Sequence, residues 1–242
     1  MIDFHTHILH HIDDGSHNVV ESIKMLRMSY EQGIDTVVLT PHFHLGEHQI
    51  GPWLKERQLR FEQICQYLTD DDKRHIPRMI FGAEVEFMPD MNEWDYLDEL
   101  KIQGTNYIMT EMPFMPWTGA NMKVIDDIAL NTHLTPIIPH IDRYMHTFTP
   151  EKYIRHFFEM PEVIVQMNAI YINGVHNEPF FKPLIESGKV QILGSDCHSP
   201  EWRQPDLGMA IDRLREVCSD EIIERIDAFG REMLKDAVYL EV

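Results

Sequence analysis

The sequence is poor in cysteine and in positive charge, and it has no long apolar run. Its three cysteines, Cys65, Cys197 and Cys218, are odd in number and scattered, without a C-x-x-C. That excludes a disulfide framework and fits a reducing compartment. Lys and Arg total 21 against 40 Asp and Glu, a formal charge of −19. A surface of that sign repels a nucleic-acid backbone, so DNA or RNA is not an expected partner. No apolar stretch approaches the roughly 18 residues that span a bilayer, and the opening MIDFHTH has neither the basic nor the apolar region of a signal peptide. There is no internal repeat and no Gly/Ser-rich linker. These absences lead us to expect a single domain over residues 1–242, cytoplasmic and not inserted in a membrane.

What is present is an ordinary globular composition, 43% hydrophobic and 25% charged. Seven short segments rich in β-formers recur: Ile2–Phe4, Ile34–Thr40, Arg78–Ala83, Tyr107–Thr110, Pro136–Pro139, Val163–Met167 and Val190–Gly194. Most lack clean alternation, as strands buried on both faces do. Helical patterns separate them. Asn18 and Glu21 form a capping-box pattern, Val19, Ile23, Leu26 and Tyr30 follow at helical spacing, and Gly33 stands where a C-terminal glycine belongs. Further helices are expected over Trp53–Tyr67, Ala120–Asn131, Pro150–Phe158, Glu178–Ser187 and Leu207–Leu234, the last broken near Ser219. Such alternation implies a parallel sheet. The expected architecture is α/β, one closed barrel of seven strands, with a doubly wound open sheet as the alternative.

Polar residues able to bind metal or substrate follow these strands. His5 and His7 follow the first, His42 the second, Glu84 the third, Glu111 the fourth, His140 the fifth, Asn168 the sixth, and Asp196 and His198 the seventh. Active sites of α/β barrels lie at the C-terminal ends of several strands at once. On an extended segment, residues i and i+2 point to the same side, so His5 and His7 can reach one cation, and Asp196 and His198 repeat that spacing. A carboxylate ending a buried strand is costly unless a cation or donor compensates it; the plain alternative for Glu84 and Glu111 is a structural salt bridge. His75 and His156 fall elsewhere and read as surface residues. The donors are nitrogen and oxygen without thiolate, which suits Mn²⁺, Fe²⁺ or Zn²⁺ better than Mg²⁺. Nine candidate ligands exceed the needs of one ion, so two or three are expected. Cations would also let so acidic a chain accept an anionic phosphate.

The motifs D-F-H-T-H at Asp3–His7, D-D-G at Asp13–Gly15, T-P-H at Thr40–His42, G-A-E at Gly82–Glu84, H-I-D-R-Y at His140–Tyr144, Q-M-N-A at Gln166–Ala169 and S-D-C-H at Ser195–His198 resemble the polymerase and histidinol phosphatase (PHP) superfamily. Within it the chain is similar to the bacterial capsule and exopolysaccharide protein-tyrosine phosphatases of the CpsB/CapC type. The resemblance spans residues 1 to about 203. It implies a distorted seven-stranded (β/α)7 TIM-like barrel and a trinuclear site, with Mn²⁺ as the first choice of ion. One metal would be held by His5, His7, Glu84 and Asp196. A second would share Glu84 and take Glu111 and His140. A third would use Asp14, His42 and His198. Arg143 and Arg203 would bind phosphate oxygens bidentately. The implied substrate is a phosphotyrosyl protein, the Tyr-rich tail of a bacterial tyrosine kinase that controls polysaccharide export. The chain departs from the family where Phe43 and then His44 follow His42 in place of an adjacent second histidine, and where Ile141-Asp142 precede Arg143. The choice between Asp13 and Asp14 stays open, as do the roles of His10, His11, His44 and His48.

Three other readings compete. Cys197 to Arg203 has the C-x5-R spacing of thiolate-dependent tyrosine phosphatases. Its intervening residues include Pro200, which has no amide donor, and Glu201, which repels a dianion; no glycine is present. Another phosphoesterase of the superfamily, such as a histidinol-phosphate phosphatase, is the second alternative, and a non-catalytic metal-binding module the third.

Overall fold

The computed structural model describes residues 1–147 and 149–242. Among the described residues, nine strands run in chain order: β1 (Ile2–Thr6), β2 (Thr36–Leu39), β3 (His42–Phe43), β4 (Arg78–Phe81), β5 (Glu84–Glu86), β6 (Tyr107–Glu111), β7 (Thr135–Ile138), β8 (Ile164–Asn168) and β9 (Ile192–Gly194). Ten α-helices accompany them among the described residues: α1 (Val19–Glu31), α2 (Ile50–Tyr67), α3 (Asp70–Arg74), α4 (Gly119–Asn131), α5 (Ile141–Met145), α6 (Glu151–Glu159), α7 (Ala169–Asn173), α8 (Glu178–Glu186), α9 (Leu207–Val217) and α10 (Asp220–Met233).

The fold is α/β with parallel strands throughout the two sheets, ordered β1-β2-β4 and β3-β5-β6-β7-β8-β9. The second expected strand, Ile34–Thr40, appears as β2 with β3 following after Pro41, which has no N–H for a ladder. The third expected strand likewise stops at Phe81, and β5 starts at Glu84. The breaks are stitched by backbone hydrogen bonds, Thr40 N to Thr6 O at 2.9 Å, Gly82 N to Leu39 O at 2.8 Å and Glu84 N to Pro41 O at 3.1 Å. At the outer edges, Thr6 and Cys197 form a parallel bridge. Gly194 permits this approach, since a Cβ there would lie 2.5 Å from the His5 Cβ.

The strands are buried on both faces. Ile2, Val38, Ile80, Met109, Ile137, Ile164 and Ile192, drawn from seven strands, form one apolar cluster with Met233 of α10. The alternate residues, such as Val37, Leu39, Ile108, Ile138, Val165 and Leu193, pack in a second cluster with Met25, Leu26, Ile64, Ile125 and Ile128 of the helices. That explains the continuous apolar runs.

The expected helices form with ends shifted by up to three residues. Asn18 caps α1, accepting from Glu21 N at 3.0 Å. Gly33 (φ +80°) and Ile34 close α1 through Gly33 N to Tyr30 O at 2.9 Å and Ile34 N to Ser29 O at 3.1 Å, a Schellman motif. The long C-terminal pattern is broken at Ser219, which precedes α10. The single-turn helices α3, α5 and α7 were not expected; five residues are too few to show a period. Among the described residues no helix is long and apolar enough to cross a membrane.

Candidate metal centre

The polar residues continue the rows of the inner apolar cluster in steps of two. Val38 leads to Thr40 and His42, Ile80 to Gly82 and Glu84, Met109 to Glu111, Ile164 to Gln166 and Asn168, and Ile192 to Gly194 and Asp196. Side chains two apart on an extended chain share a face, so one face changes from apolar to polar at the C-terminal ends. In β1 a register irregularity between Asp3 and Thr6 turns His5 and His7 onto that face. His140 (φ +34°) and Asp196 (φ +54°) take left-handed conformations, as do Arg203 (φ +52°) and His11 (φ +55°). For non-glycine residues this costs on the order of 1 kcal/mol or more each, and three of these four carry candidate site side chains.

The geometry is close-packed. His5 Nε2 lies 3.0 Å from His7 Nε2 and 3.0 Å from Glu84 Oε2. His7 Nε2 lies 3.2 Å from Glu84 Oε2 and 3.4 Å from Asp196 Oδ1. His140 Nε2 sits 2.8 Å from Glu84 Oε1 and 3.4 Å from Glu111 Oε1. Asp14 Oδ1 is 3.6 Å from His42 Nε2 and 3.3 Å from His198 Nε2. Donor atoms within 4.8 Å of one another form four groups: His5, His7 and Asp196; Glu84, Glu111 and His140; His7, Asp14, His42 and His198; and His42, His44 and Glu111.

Several partners orient these donors. The His7 Nδ1 faces Asp13 Oδ2 at 2.7 Å, the His198 Nδ1 faces the Asp196 carbonyl at 2.9 Å, and the His5 Nδ1 faces Gln166 Oε1 at 3.4 Å. Each of these acceptors favours an N–H on Nδ1, assigned from the network, and leaves the Nε2 lone pair for the centre. The Nε2 atoms of His5 and His7 then face each other as two acceptors 3.0 Å apart. That pairing is repulsive unless a proton or a cation lies between them. In addition, the His140 Nδ1 is buried without a hydrogen-bond partner, and the buried His42 Nδ1 lies 3.2 Å from Glu84 Oε2 without making a hydrogen bond to it. The donor set therefore fits divalent cations.

Electrostatics agrees. Burial alone would raise the Glu84 carboxyl, but His5, His42 and His140 hold it well below the usual carboxylate range. Burial likewise opposes ionisation of Asp196, and His5, His7 and Arg143 overcome it. Burial would lower the imidazolium of His140, yet Glu111 and Glu84 lift it to about 9. Without a metal, protons thus take the places of cations among these carboxylates.

Both arginines lean on one carboxylate. Arg143, on α5, pairs with Asp196 Oδ2, and Arg203 Nη2 lies 2.5 Å from Asp196 Oδ1. Asn168 Nδ2 donates to Asp196 Oδ2 at 2.8 Å. Asp13 and Asp14 separate by burial, with side chains 3% and 69% exposed. Asp13 accepts from the backbone N–H groups of Gly15 at 2.9 Å and His42 at 3.1 Å besides facing His7, whereas Asp14 stands among His7, His42 and His198.

A family model described as "Capsular polysaccharide synthesis, CpsB/CapC" matches residues 1–231. The chain belongs to this CpsB/CapC family. It is 25% identical over 234 residues to tyrosine-protein phosphatase CpsB of Streptococcus agalactiae serotype III (strain NEM316), covering 91% of this chain and 90% of that one. It is 27% identical over 208 residues to tyrosine-protein phosphatase YwqE of Bacillus subtilis (strain 168), covering 84% and 79%. Among solved structures it is similar in fold, with a TM-score of 0.76 at 21% identity over 99% of this chain and 96% of the other, to one described as "Crystal structures of YwqE from Bacillus subtilis and CpsB from Streptococcus pneumoniae, unique metal-dependent tyrosine phosphatases".

In this CpsB/CapC member the thiolate alternative fails. Cys197 is fully buried in the core, and burial, with Asp3 nearby, pushes its thiol far above the ordinary range. Of the loop that follows β6, Trp117 is buried against Tyr144 and Phe157, while Phe114 is 57% exposed and stacks on His140 at 5.9 Å between centroids. His75 and His156 bond Asp71 O and Asp126 Oδ1, away from the centre. His10 is a buried structural residue on Gln63, at 2.9 Å. His48 supports His44, whose backbone N–H it accepts at 2.9 Å. The sequence does not divide Asp13 from Asp14, and it marks the orienting Gln166 only by its place two residues before Asn168 on an inward row.

Proposed function

We propose that this protein is a metal-dependent protein-tyrosine phosphatase. The observation that carries the reading is the pair of imidazole nitrogens of His5 and His7, 3.0 Å apart with Glu84 and Asp196 around them. The ligand sets are those the family resemblance implies: His5, His7, Glu84 and Asp196 for one cation, Glu84, Glu111 and His140 for a second, and Asp14, His42 and His198 for a third. Three of the donor groups above support this division. Two to three ions are expected, Mn²⁺ first, with Fe or Zn as alternatives.

Bound there, divalent cations supply a water acidic enough to ionise near neutral pH and positive charge opposite phosphoryl oxygens. The chain's own residues do the rest. Arg143 and Arg203, which share Asp196, would grip phosphate oxygens and neutralise the transferring group. Asn168 keeps Asp196 in place. Phe114, exposed beside His140, offers an apolar face to the tyrosyl ring. The phenolate leaves with a free pKa near 10, so it departs more readily than an alkoxide.

The proposed fold beneath this site is one seven-stranded barrel within a single domain. The stitched breaks support reading β2 with β3 and β4 with β5 as single interrupted strands, and the Thr6–Cys197 bridge supports closure. The proposed partner is the Tyr-rich tail of a bacterial tyrosine kinase in the cytoplasm; the family's description in capsular polysaccharide synthesis and the relatives' names support it.

Chelator-stripped protein should lose turnover of a phosphotyrosyl peptide, and Mn²⁺ should restore it. Full activity in the stripped protein would sink the mechanism. Faster turnover of histidinol phosphate than of the peptide would favour the other branch of the superfamily.

A further inference from the structure

We propose that His44 is a cation ligand and that, with His42 and Glu111, it forms a fourth seat at the rim of the mouth. The inference rests on the reading that this mouth holds divalent cations.

His42 and Phe43 form β3, paired in parallel with Glu84 and Val85 of β5. Extended backbone throws residues 42 and 44 to one side and residue 43 to the other. Phe43 is accordingly fully buried in the apolar core, while the His42 and His44 rings lie 5.0 Å apart. This is the chain's third pair of donors at i and i+2, after His5 with His7 and Asp196 with His198.

The donors then converge. His42, His44 and Glu111 each offer an atom within 4.8 Å of the others. Among the described residues the only ion-pair partner of Glu111 is His140, at 3.4 Å, so its carboxylate can bridge two seats. His42 would bridge two cations as an imidazolate, giving up its ring proton to solvent: Nε2 faces Asp14 at 3.6 Å, while Nδ1, which makes no hydrogen bond, lies 3.2 Å from Glu84 Oε2. The His44 ring is steadied by Glu47, whose Oε2 lies 3.8 Å from Nδ1. A carboxylate on one ring nitrogen leaves the other to meet a cation. Two imidazoles and one carboxylate leave coordination positions open, an arrangement that suits Fe²⁺, Mn²⁺ or Zn²⁺ with exchangeable water or phosphate. Half-buried at the rim, this seat loads last and empties first.

The test is a titration of the chelator-stripped full chain with Mn²⁺, counting bound metal, and with Co²⁺, following its absorption. His44→Ala should bind one equivalent fewer than wild type, or hold one equivalent at least about tenfold more weakly, while the others keep their affinities. His44→Asp, which keeps a donor, should recover that equivalent. The proposal is overturned if His44→Ala binds the wild-type number with wild-type affinities, or if all equivalents weaken together. A wild type that binds no divalent cation sinks the reading of the whole mouth, whereas a variant indistinguishable from a metal-binding wild type sinks the fourth seat alone.

Discussion

Ile2, Val38, Ile80, Met109, Ile137, Ile164 and Ile192 meet one another on one face of the strands. Two or four residues farther along the same rows, His42, Glu84, Glu111, Asn168 and Asp196 meet one another instead. The apolar layer is complete in itself: every group gains by leaving water, and nothing from outside is needed. The polar layer is not. Five carboxylates, those of Asp13, Asp14, Glu84, Glu111 and Asp196, face two arginines and a set of histidines in a largely buried space. The same backbone thus carries one layer that stabilises the fold and another that depends on added positive charge.

The largest effect should come from breaking the polar layer. Asp196→Asn removes a proposed metal ligand and the partner of both arginines, and kcat/KM on an aryl phosphate should fall on the order of 10³-fold or more. Cys197→Ser, one residue away, should keep close to wild-type activity per folded molecule; the reverse pattern would restore the thiolate mechanism. Breaking the apolar layer should do the opposite. Ile137→Ala should cost about 2–5 kcal/mol of stability, measured by denaturant unfolding with metal bound or removed, while kcat/KM of the folded fraction is retained. A smaller loss, on the order of 10²-fold in kcat/KM, is expected for Arg143→Ala or Arg203→Ala, with metal content unchanged. Loss of metal in either variant would mean that the guanidinium groups support Asp196 and do not bind phosphate.

The smallest effect lies outside both layers. Asp35 is half-buried and paired with Arg231 at 2.6 Å and with the Met1 amino group at 2.7 Å. Although burial pushes the other way, these partners hold its carboxyl at about 2. A depressed pKa means that this stabilisation is complete above about pH 4 and is lost as the pH falls towards 2. Asp35→Asn should flatten that part of the stability profile, by under about 1 kcal/mol, with or without chelator. Dependence on chelator would show that the two regions communicate.

Much of this was legible in the chain. The His5/His7 spacing, the apolar runs ending in Glu84 and Glu111, and the cap at Asn18 are local patterns, and local patterns survive without a fold. The interruption after Thr40 could be suspected from Pro41, but not that β3 would change sheets. Asp13 and Asp14 were inseparable because adjacent carboxylates have the same chemistry; only burial of one and exposure of the other divides them. The meeting of Arg143 and Arg203 on Asp196 was invisible, since it brings Arg143 to an aspartate 53 residues away that takes a left-handed conformation.

By itself the sequence determined which residue types end each strand and which donors two apart share a side, because backbone periodicity converts spacing directly into direction. The tertiary structure alone decided which ring nitrogen faces which carboxylate, which aspartate lies inside, and that His44 joins His42 and Glu111. Those facts depend on distances between strands far apart in the chain, and such distances are set by packing across the whole core.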